Sequence, residues 1–325
     1  MNDLVTIEHL VKYFDIGPNQ RVHAVDDISL SIGEREIVGL VGESGSGKST
    51  LGKAVVGLHD KTSGTVKYRG ETLPQKYKPA DFQAHATRMQ MIFQDPYSSL
   101  NPRMTVGEII GEGLKLHSGK DSSSVRDAVG DWLEKVGLEA DHMSRYPHEF
   151  SGGQRQRIGI ARALILEPEF VVCDEPISAL DVSVQAQVIN LLDELKQKMG
   201  LTLLFIAHDL SMVRYVSDRM AVMYLGSLVE SGPADDVFFK PKHPYTQVLV
   251  GSNPEADPRH ERTRASTAIQ GEIPSPVNVL PRCRFANRCP QAMPECKHQT
   301  PELVTLTDTT DNEPRQVACH LYSSS

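Results

Sequence analysis

The segment Gly42-Glu-Ser-Gly-Ser-Gly47-Lys48-Ser49-Thr50 sets the fold class of this 325-residue chain, because it fits the pattern GxxxxGK[ST]. It follows Glu36–Val41, an apolar stretch typical of a buried strand, and precedes apolar residues at helical spacing. Glycines let such a loop fold tightly with its amides aimed at phosphate, and the following helix adds its positive end. The pattern predicts a nucleoside triphosphate site.

The polar residues of this loop each have a predicted role at the phosphates. Lys48 is predicted to neutralise the terminal phosphates, and the hydroxyl of Ser49 to coordinate Mg²⁺. The alternative is a chance Gly/Ser loop before a helix, which the complete strand–loop–helix context disfavours. The loop residues predicted to contact ATP are Gly42, Ser44, Gly45, Gly47, Lys48, Ser49 and Thr50.

Apolar stretches with strand and helix character alternate as far as about residue 235. Phe170–Cys173 and Leu203–Ala207 have the length and composition of buried strands, and Val184–Met199 has helical spacing that stops at Gly200. Strands separated by helices imply a largely parallel sheet with right-handed crossovers. The sequence therefore predicts an α/β fold of the P-loop NTPase type over residues 1–235.

Two of these predicted strands end in polar residues suited to hydrolysis. Asp174 is predicted to hold Mg²⁺ through its water shell, and Glu175 to polarise the water that attacks the γ-phosphate. His208 follows the next strand and is predicted to contact the γ-phosphate. A strand-terminal Asp-Glu or a lone histidine is often structural, so these predictions depend on the phosphate loop upstream.

A second segment, Phe150-Ser151-Gly152-Gly153-Gln154, has the character of an anion-binding device. Ser151 can cap a helix, the glycines expose amides, and the helix that begins near Gln154 contributes its dipole. One nucleotide has no obvious need for two such devices in one chain. The pattern therefore predicts a dimer in which Ser151, Gly153 and Gln154 cover the ATP held by the other subunit.

A phosphate loop, a Ser-Gly-Gly-Gln segment and then a strand ending in Asp-Glu resemble the ATPase subunits of ABC transporters over residues 4–235. The resemblance implies that Gln94 lies in the loop that contacts Mg²⁺ and touches the membrane partner. It implies that Asp181 lies in the loop that crosses the dimer interface. It further implies a helical subdomain inserted at about residues 96–155.

An aromatic side chain near Lys12 is expected to stack on adenine in a protein of this kind. Phe14 fits the family spacing best, and Tyr13 is the alternative. Ordinary packing within a strand would also account for an aromatic residue here.

Composition and charge bear on the competing functional classes. The net charge of −8 disfavours a protein that coats nucleic acid, and no nucleic-acid partner is expected. A soluble ABC protein acting on DNA or ribosomes would carry a long coiled coil between the motifs or two tandem ATPase units. Only about 100 residues separate Lys48 from Ser151, and there is a single phosphate loop. No apolar run reaches the ~18 residues of a membrane span, and the N-terminus does not look like a signal peptide.

Residues 236–325 form the C-terminal extension, predicted to be a small, loop-rich module. The segments Lys242–Thr246 and Gly271–Pro276 resemble the C-terminal region of ATPases from peptide and nickel importers, the dipeptide/oligopeptide type. The whole chain most resembles the second, F-type ATPase of the pair found in such importers.

Four of the five cysteines lie in the extension, at Cys283, Cys289, Cys296 and Cys319. A reducing compartment would keep them as thiols or metal ligands. Their spacing lacks the CxxC pairs of zinc ribbons, and the resemblance implies a 4Fe–4S cluster, with zinc or unligated thiols as the alternatives. The bases near them, expected to offset the charge of a thiolate-ligated cluster, are Arg282, Arg284, Arg288 and Lys297.

The resemblance also implies an assembly. It comprises a second, related ABC ATPase forming a heterodimer, two transmembrane permease subunits and a periplasmic or extracellular peptide-binding protein. The chain would act peripherally, on the cytoplasmic face of the bacterial inner membrane. Nickel complexes, opines and glutathione stay open as cargo beside dipeptides and oligopeptides, and the extension disfavours an exporter.

Overall fold

The computed structural model describes residues 3–119, 121–178, 180–252, 272, 274–306 and 314–322. The strands are β1 (Asp3–Gly17), β2 (Gln20–Gly33), β3 (Ile37–Val41), β4 (Ser63–Tyr68), β5 (Glu71–Thr72), β6 (Met89–Ile92), β7 (Phe170–Asp174), β8 (Thr202–Ile206), β9 (Arg219–Tyr224), β10 (Ser227–Pro233), β11 (Val304–Leu306) and β12 (Arg315–Val317). The helices are α1 (Lys48–Val55), α2 (Pro79–His85), α3 (Pro96–Ser99), α4 (Val106–His117), α5 (Ser122–Lys135), α6 (Gly152–Leu164), α7 (Val182–Met199), α8 (Leu210–Val216), α9 (Ala234–Phe239) and α10 (Pro244–Gly251).

An eight-stranded sheet in the order β11-β12-β10-β9-β3-β8-β7-β6 forms the centre of the fold. The strands from β9 to β6 run parallel, as the alternation of strands and helices predicts. The carboxyl ends of β3, β7 and β8 therefore lie at the same edge, where open α/β sheets bind ligands.

The second sheet is antiparallel, in the order β2-β1-β4-β5, and packs against the first across α1. Leu51, Ala54 and Val55 of α1 are fully buried. They join residues of both sheets in one apolar cluster, which fixes α1, and hence the loop that precedes it, relative to the parallel strands.

The helices α3 to α6 lie between β6 and β7 and pack on a second apolar cluster. They occupy the place where a helical subdomain is expected at about residues 96–155, although α6 continues to Leu164. Gly137 after α5 and Gly200 after α7 have positive φ values of 75° and 67°, as expected for glycines that terminate helices.

The C-terminal extension is built into the main sheet. Its strand β12 pairs with β10, and β11 pairs with β12. Arg315 of β12 donates to the fully buried carboxylate of Glu230 on β10 at 2.6 Å. The division at residue 235 thus stays a prediction, and the motif Gly271–Pro276 falls partly outside the described residues.

None of the helices in the described part of the chain combines the length and the apolar character needed to cross a membrane.

Candidate functional site

A cleft opens at the carboxyl ends of the parallel strands and collects most of the residues predicted to bind ATP. The predicted residues that line it are Phe14, Ser44, Gly45, Gly47, Lys48, Ser49, Thr50, Gln94, Glu175 and His208. Because these residues come from widely separated parts of the sequence, the parallel sheet is what gathers them.

The loop between β3 and α1 needs glycine at both of its ends. Gly42 has φ 151° and Gly47 has φ 100°. A β-carbon at Gly42 would lie 2.2 Å from the carbonyl oxygen of Met223, and one at Gly47 would lie 1.9 Å from that of Ala24. Any other residue would have to displace backbone, so the glycines hold the loop tightly against β2 and β9.

Lys48 folds back over this loop. Its ammonium donates to the carbonyl oxygens of Gly42 at 2.7 Å and Glu43 at 3.0 Å. Burial lowers the pKa of Lys48, and the carboxylates of Glu175, Asp174 and Glu43 counteract that shift. The ammonium is therefore a largely desolvated cation, which strengthens its attraction for an incoming phosphate.

Ser49 and Asp174 meet where β7 ends. The Ser49 hydroxyl donates to the Asp174 carboxylate at 2.6 Å. Burial raises the pKa of Asp174, and the Ser49 hydroxyl counteracts it. A hydroxyl and a desolvated carboxylate beside a phosphate site suit Mg²⁺, which takes oxygen ligands.

Glu175 is held at the mouth of the cleft in an uncommon backbone conformation, with φ 42°. Its amide donates to the Ile206 carbonyl at 2.9 Å, and its carboxylate accepts from the Gln94 side chain at 3.0 Å. His208 Nδ1 lies 3.5 Å from the same carboxylate. Left-handed conformations of non-glycine residues are frequent at functional sites. Three residues with predicted roles in hydrolysis, Glu175, Gln94 and His208, thus form one cluster.

Phe14 and Tyr13 have different environments. Phe14 lines the cleft. Tyr13 donates its hydroxyl to Asp26 and packs against the ring of His23, with 4.1 Å between ring centroids. Of the two, Phe14 is the aromatic side chain available to a nucleotide base.

Ser151, Gly153 and Gln154 lie apart from the residues lining the cleft, at the start of α6. Ser151 caps this helix reciprocally with Gln154 and is exposed. A β-carbon at Gly153 would lie 2.5 Å from the Val184 side chain, so α6 approaches α7 closely. Asp181 immediately precedes α7. The two segments predicted to meet another subunit therefore lie side by side.

The four cysteines of the extension carry free thiols and lie near one another. Burial, and then the nearby thiols of Cys296, Cys319 and Cys289, raise the pKa of Cys283 to about 11. The Cys283 amide also donates to the Cys296 carbonyl at 3.1 Å. The electrostatic influence of the other three thiols on Cys283 shows that the four cysteines belong to one region of the extension. Cys173, in contrast, is buried in β7, where burial raises its pKa to about 12.

Two of the bases expected to offset charge at the cysteines have other partners. Arg284 donates to Asp26, and Arg288 forms a bidentate pair with Glu43 at 2.8 and 2.9 Å. The expectation is corrected for these two residues, because nearby carboxylates of the ATPase region pair with them.

One wall of the cleft consists of residues that no sequence pattern identified. Val22 and Ala24 of β2 line it, together with Pro276 of the extension. The His23 amide donates to the Pro276 carbonyl at 2.9 Å, which attaches the extension to β2. Nothing in the local pattern around Pro276 identifies a residue that closes a cleft so far away in sequence.

Comparison with known proteins agrees with this geometry. Residues 25–178 match the ABC transporter family, and residues 229–296 match the oligopeptide/dipeptide transporter C-terminal region. The putative oligopeptide transport ATP-binding protein YkfD of Bacillus subtilis is 54% identical over 98% of this chain and 95% of its own. The oligopeptide transport ATP-binding protein OppF of Escherichia coli is 52% identical over 88% of this chain and 86% of its own.

A solved structure shares the fold over the ATPase region. The dimeric ATP-binding cassette MJ0796, in a post-hydrolysis state bound to ADP and Pi, superposes with a TM-score of 0.65 and 26% identity. The match covers 71% of this chain and 98% of that one. The chain therefore belongs to the ATP-hydrolysing subunits of the ABC transporter family, within the oligopeptide/dipeptide transporter group.

Proposed function

We propose that this chain hydrolyses ATP to energise the import of dipeptides or oligopeptides through an ABC transporter of the bacterial inner membrane. The observation that carries the proposal is the single cleft that joins the phosphate loop to Asp174, Glu175 and His208. The oligopeptide-type extension and the names of the relatives support peptides as the cargo.

Each group in the cleft has a task that its position supports. Lys48 and the loop amides bind the phosphates, and Phe14 packs on the base. Ser49 and Asp174, with Gln94 nearby, would hold Mg²⁺, which would neutralise charge that develops on the phosphate oxygens. Glu175 accepts the proton of the attacking water, and His208 contacts the γ-phosphate.

The same proposal assigns the exposed start of α6 to a partner ATPase. Ser151, Gly153 and Gln154 cover the nucleotide of the other subunit, and Asp181 contacts that subunit across the interface. The dimeric cassette with the same fold supports this arrangement. We propose that the partner is a related but distinct ATPase, and that two permease subunits and a peptide-binding protein complete the importer at the cytoplasmic face of the membrane.

The experiment is a comparison of ATP hydrolysis by the isolated chain and by the reconstituted importer, with and without peptide-loaded binding protein. We expect slow hydrolysis by the isolated chain, because only a closed dimer completes each site and excludes water. Equal rates in both preparations would contradict the transport role. Co-purification with ribosomes or DNA instead of permeases would identify a different class of ABC protein.

For the four cysteines we propose a 4Fe–4S cluster. In the described part of the chain, no three of these thiols come within 4.8 Å of one another. The spacing of the four cysteines along the chain lacks the CxxC pairs of zinc ribbons and suits a cluster held by loops, which supports this proposal. The test is iron, acid-labile sulfide and zinc analysis of anaerobically purified protein. Stoichiometric zinc without sulfide, or neither metal, would contradict the cluster.

A further inference from the structure

Glu43 places a carboxylate inside the loop that is built to bind phosphate. It follows Gly42 directly, and its carbonyl oxygen accepts from the Lys48 ammonium at 3.0 Å. The Glu43 carboxylate also stabilises the Lys48 ammonium electrostatically, so its negative charge lies near the cation predicted to hold the terminal phosphates. Left unpaired, it would repel a nucleotide carrying several negative charges and compete for Lys48.

The extension holds this residue in place from outside the loop. Both terminal nitrogens of Arg288 donate to the Glu43 carboxylate, at 2.8 and 2.9 Å, and the Arg288 side chain is only 4% exposed. The Glu43 amide donates to the Tyr245 hydroxyl at 2.9 Å. With Lys48 on its carbonyl, Glu43 thus has its amide, carbonyl and side chain all engaged.

The residues that hold Glu43 are themselves held firmly. Tyr245 is fully buried and packs against Tyr224 and Phe285, with ring centroids 4.6 and 5.4 Å away. Arg288 also donates to the Tyr224 hydroxyl at 3.1 Å. A planar guanidinium in such a setting forms a bidentate pair that a lysine cannot reproduce.

We propose that Arg288 is a positioning residue for ATP binding. It neutralises the Glu43 carboxylate, so that the phosphate loop presents no unpaired negative charge to the nucleotide. The match to the cassette MJ0796 takes in 98% of that protein but only 71% of this chain. An ABC cassette of this fold can therefore bind nucleotide without the additional length that this chain has. In this chain the C-terminal extension therefore contributes a residue, Arg288, to the support of the nucleotide site.

The test is a double-mutant cycle on the full chain, with the dissociation constant of ATP measured by calorimetry. Arg288→Met should weaken ATP binding about 10- to 100-fold, because it leaves a partly buried carboxylate unpaired in the phosphate loop. Glu43→Gln alone should weaken it by a smaller factor than Arg288→Met, because the amide oxygen still accepts a hydrogen bond from Arg288 and no unpaired negative charge remains. The double variant should bind ATP within about 3-fold of the wild type, since the repelling charge has gone.

Arg315→Met provides the matched control. Arg315 also pairs with a glutamate of the ATPase region, Glu230, which belongs to β10 and not to the phosphate loop. This variant should unfold at a lower temperature and still bind ATP within about 3-fold of the wild type. If Arg288→Met fails to fold, Arg288→Lys keeps the charge without the bidentate geometry and should weaken binding by a smaller factor.

Three results would overturn the proposal. One is wild-type affinity in Arg288→Met. A second is a double variant as weak as Arg288→Met alone, which would make the role one of general stability. The third is an Arg315→Met control that loses as much affinity as Arg288→Met.

Discussion

Buried charged side chains have different partners in the nucleotide cleft and in the C-terminal extension. In the cleft, Asp174 is hydrogen-bonded to the hydroxyl of Ser49, and burial raises its pKa. In the extension, Arg288 and Arg315 are bound to Glu43 and Glu230 at hydrogen-bond distance. The cleft thus keeps charge available for a cation and phosphates, whereas the extension uses charge to attach itself to the ATPase.

The largest effect is expected from Glu175→Gln. It removes the proton acceptor but keeps the size of the side chain, so turnover should fall ~10²- to 10⁴-fold while ATP still binds. A nucleotide-bound dimer should accumulate, because hydrolysis no longer reopens it. Single-turnover hydrolysis and size-exclusion chromatography measure both effects. Wild-type turnover in this variant would remove Glu175 from the role of base.

The second prediction separates the two surfaces of the ATPase. Lys48→Ala should weaken ATP binding by the isolated chain. Ser151→Arg should leave that binding unchanged and reduce hydrolysis in the assembled importer by about 10²-fold, because Ser151 acts on the opposite nucleotide. Equal loss of ATP binding by both isolated variants would contradict the cross-subunit arrangement.

A third prediction concerns pH and the attachment of the extension. Burial lowers the pKa of His243 to about 4, and its ring accepts from the Tyr245 amide at 3.0 Å. The nearby charges are Glu230, which accepts from the His243 amide at 2.9 Å, and its partner Arg315. The neutral ring is favoured in the fold, so its stability contribution is complete above pH ~6.5 and is lost as pH falls towards 4.

The expected loss of stability from His243 over that range is about 3 kcal/mol. His243→Asn keeps a side-chain acceptor at this helix start and does not titrate. The difference in free energy of unfolding between the two proteins, measured by denaturant titration at several pH values, should therefore shrink by this amount on acidification. A constant difference from pH 7 to 4 would show that His243 does not titrate as a buried group.

The smallest effect is expected from the residue that packs on the adenine of ATP. Phe14→Ala should weaken ATP binding by about 1–2 kcal/mol through loss of stacking. Tyr13→Phe is the matched control, because it removes only the hydroxyl that Tyr13 donates to Asp26. Competition with ADP in a fluorescence binding assay ranks the two variants. A larger loss of ATP affinity in Tyr13→Phe than in Phe14→Ala would show that Tyr13, and not Phe14, contacts the adenine base.

Much of the ATPase fold follows from local pattern. The strand before Gly42, the helix after Gly47 and the strands ending near Asp174 and His208 are all predictable, since apolar runs of this length and spacing have few other solutions. The ends of the helices follow from Gly137 and Gly200. The extension was predicted as a loop-rich module, yet it adds β11 and β12 to the main sheet, because short strands flanked by loops carry little periodic signal.

The phosphate loop, the acidic strand end and the cysteine group are all predictable from the amino-acid sequence, because each is a short pattern whose chemistry depends on neighbours in the chain. The placement of Phe14 rather than Tyr13 in the cleft, and of Pro276 in one of its walls, depends on the packing of distant segments and is seen only in the folded chain. The same holds for the pairing of Arg288 with Glu43, which lie 245 residues apart. No local pattern encodes such a contact, since it arises from the packing of Tyr245 and Phe285 against the sheet.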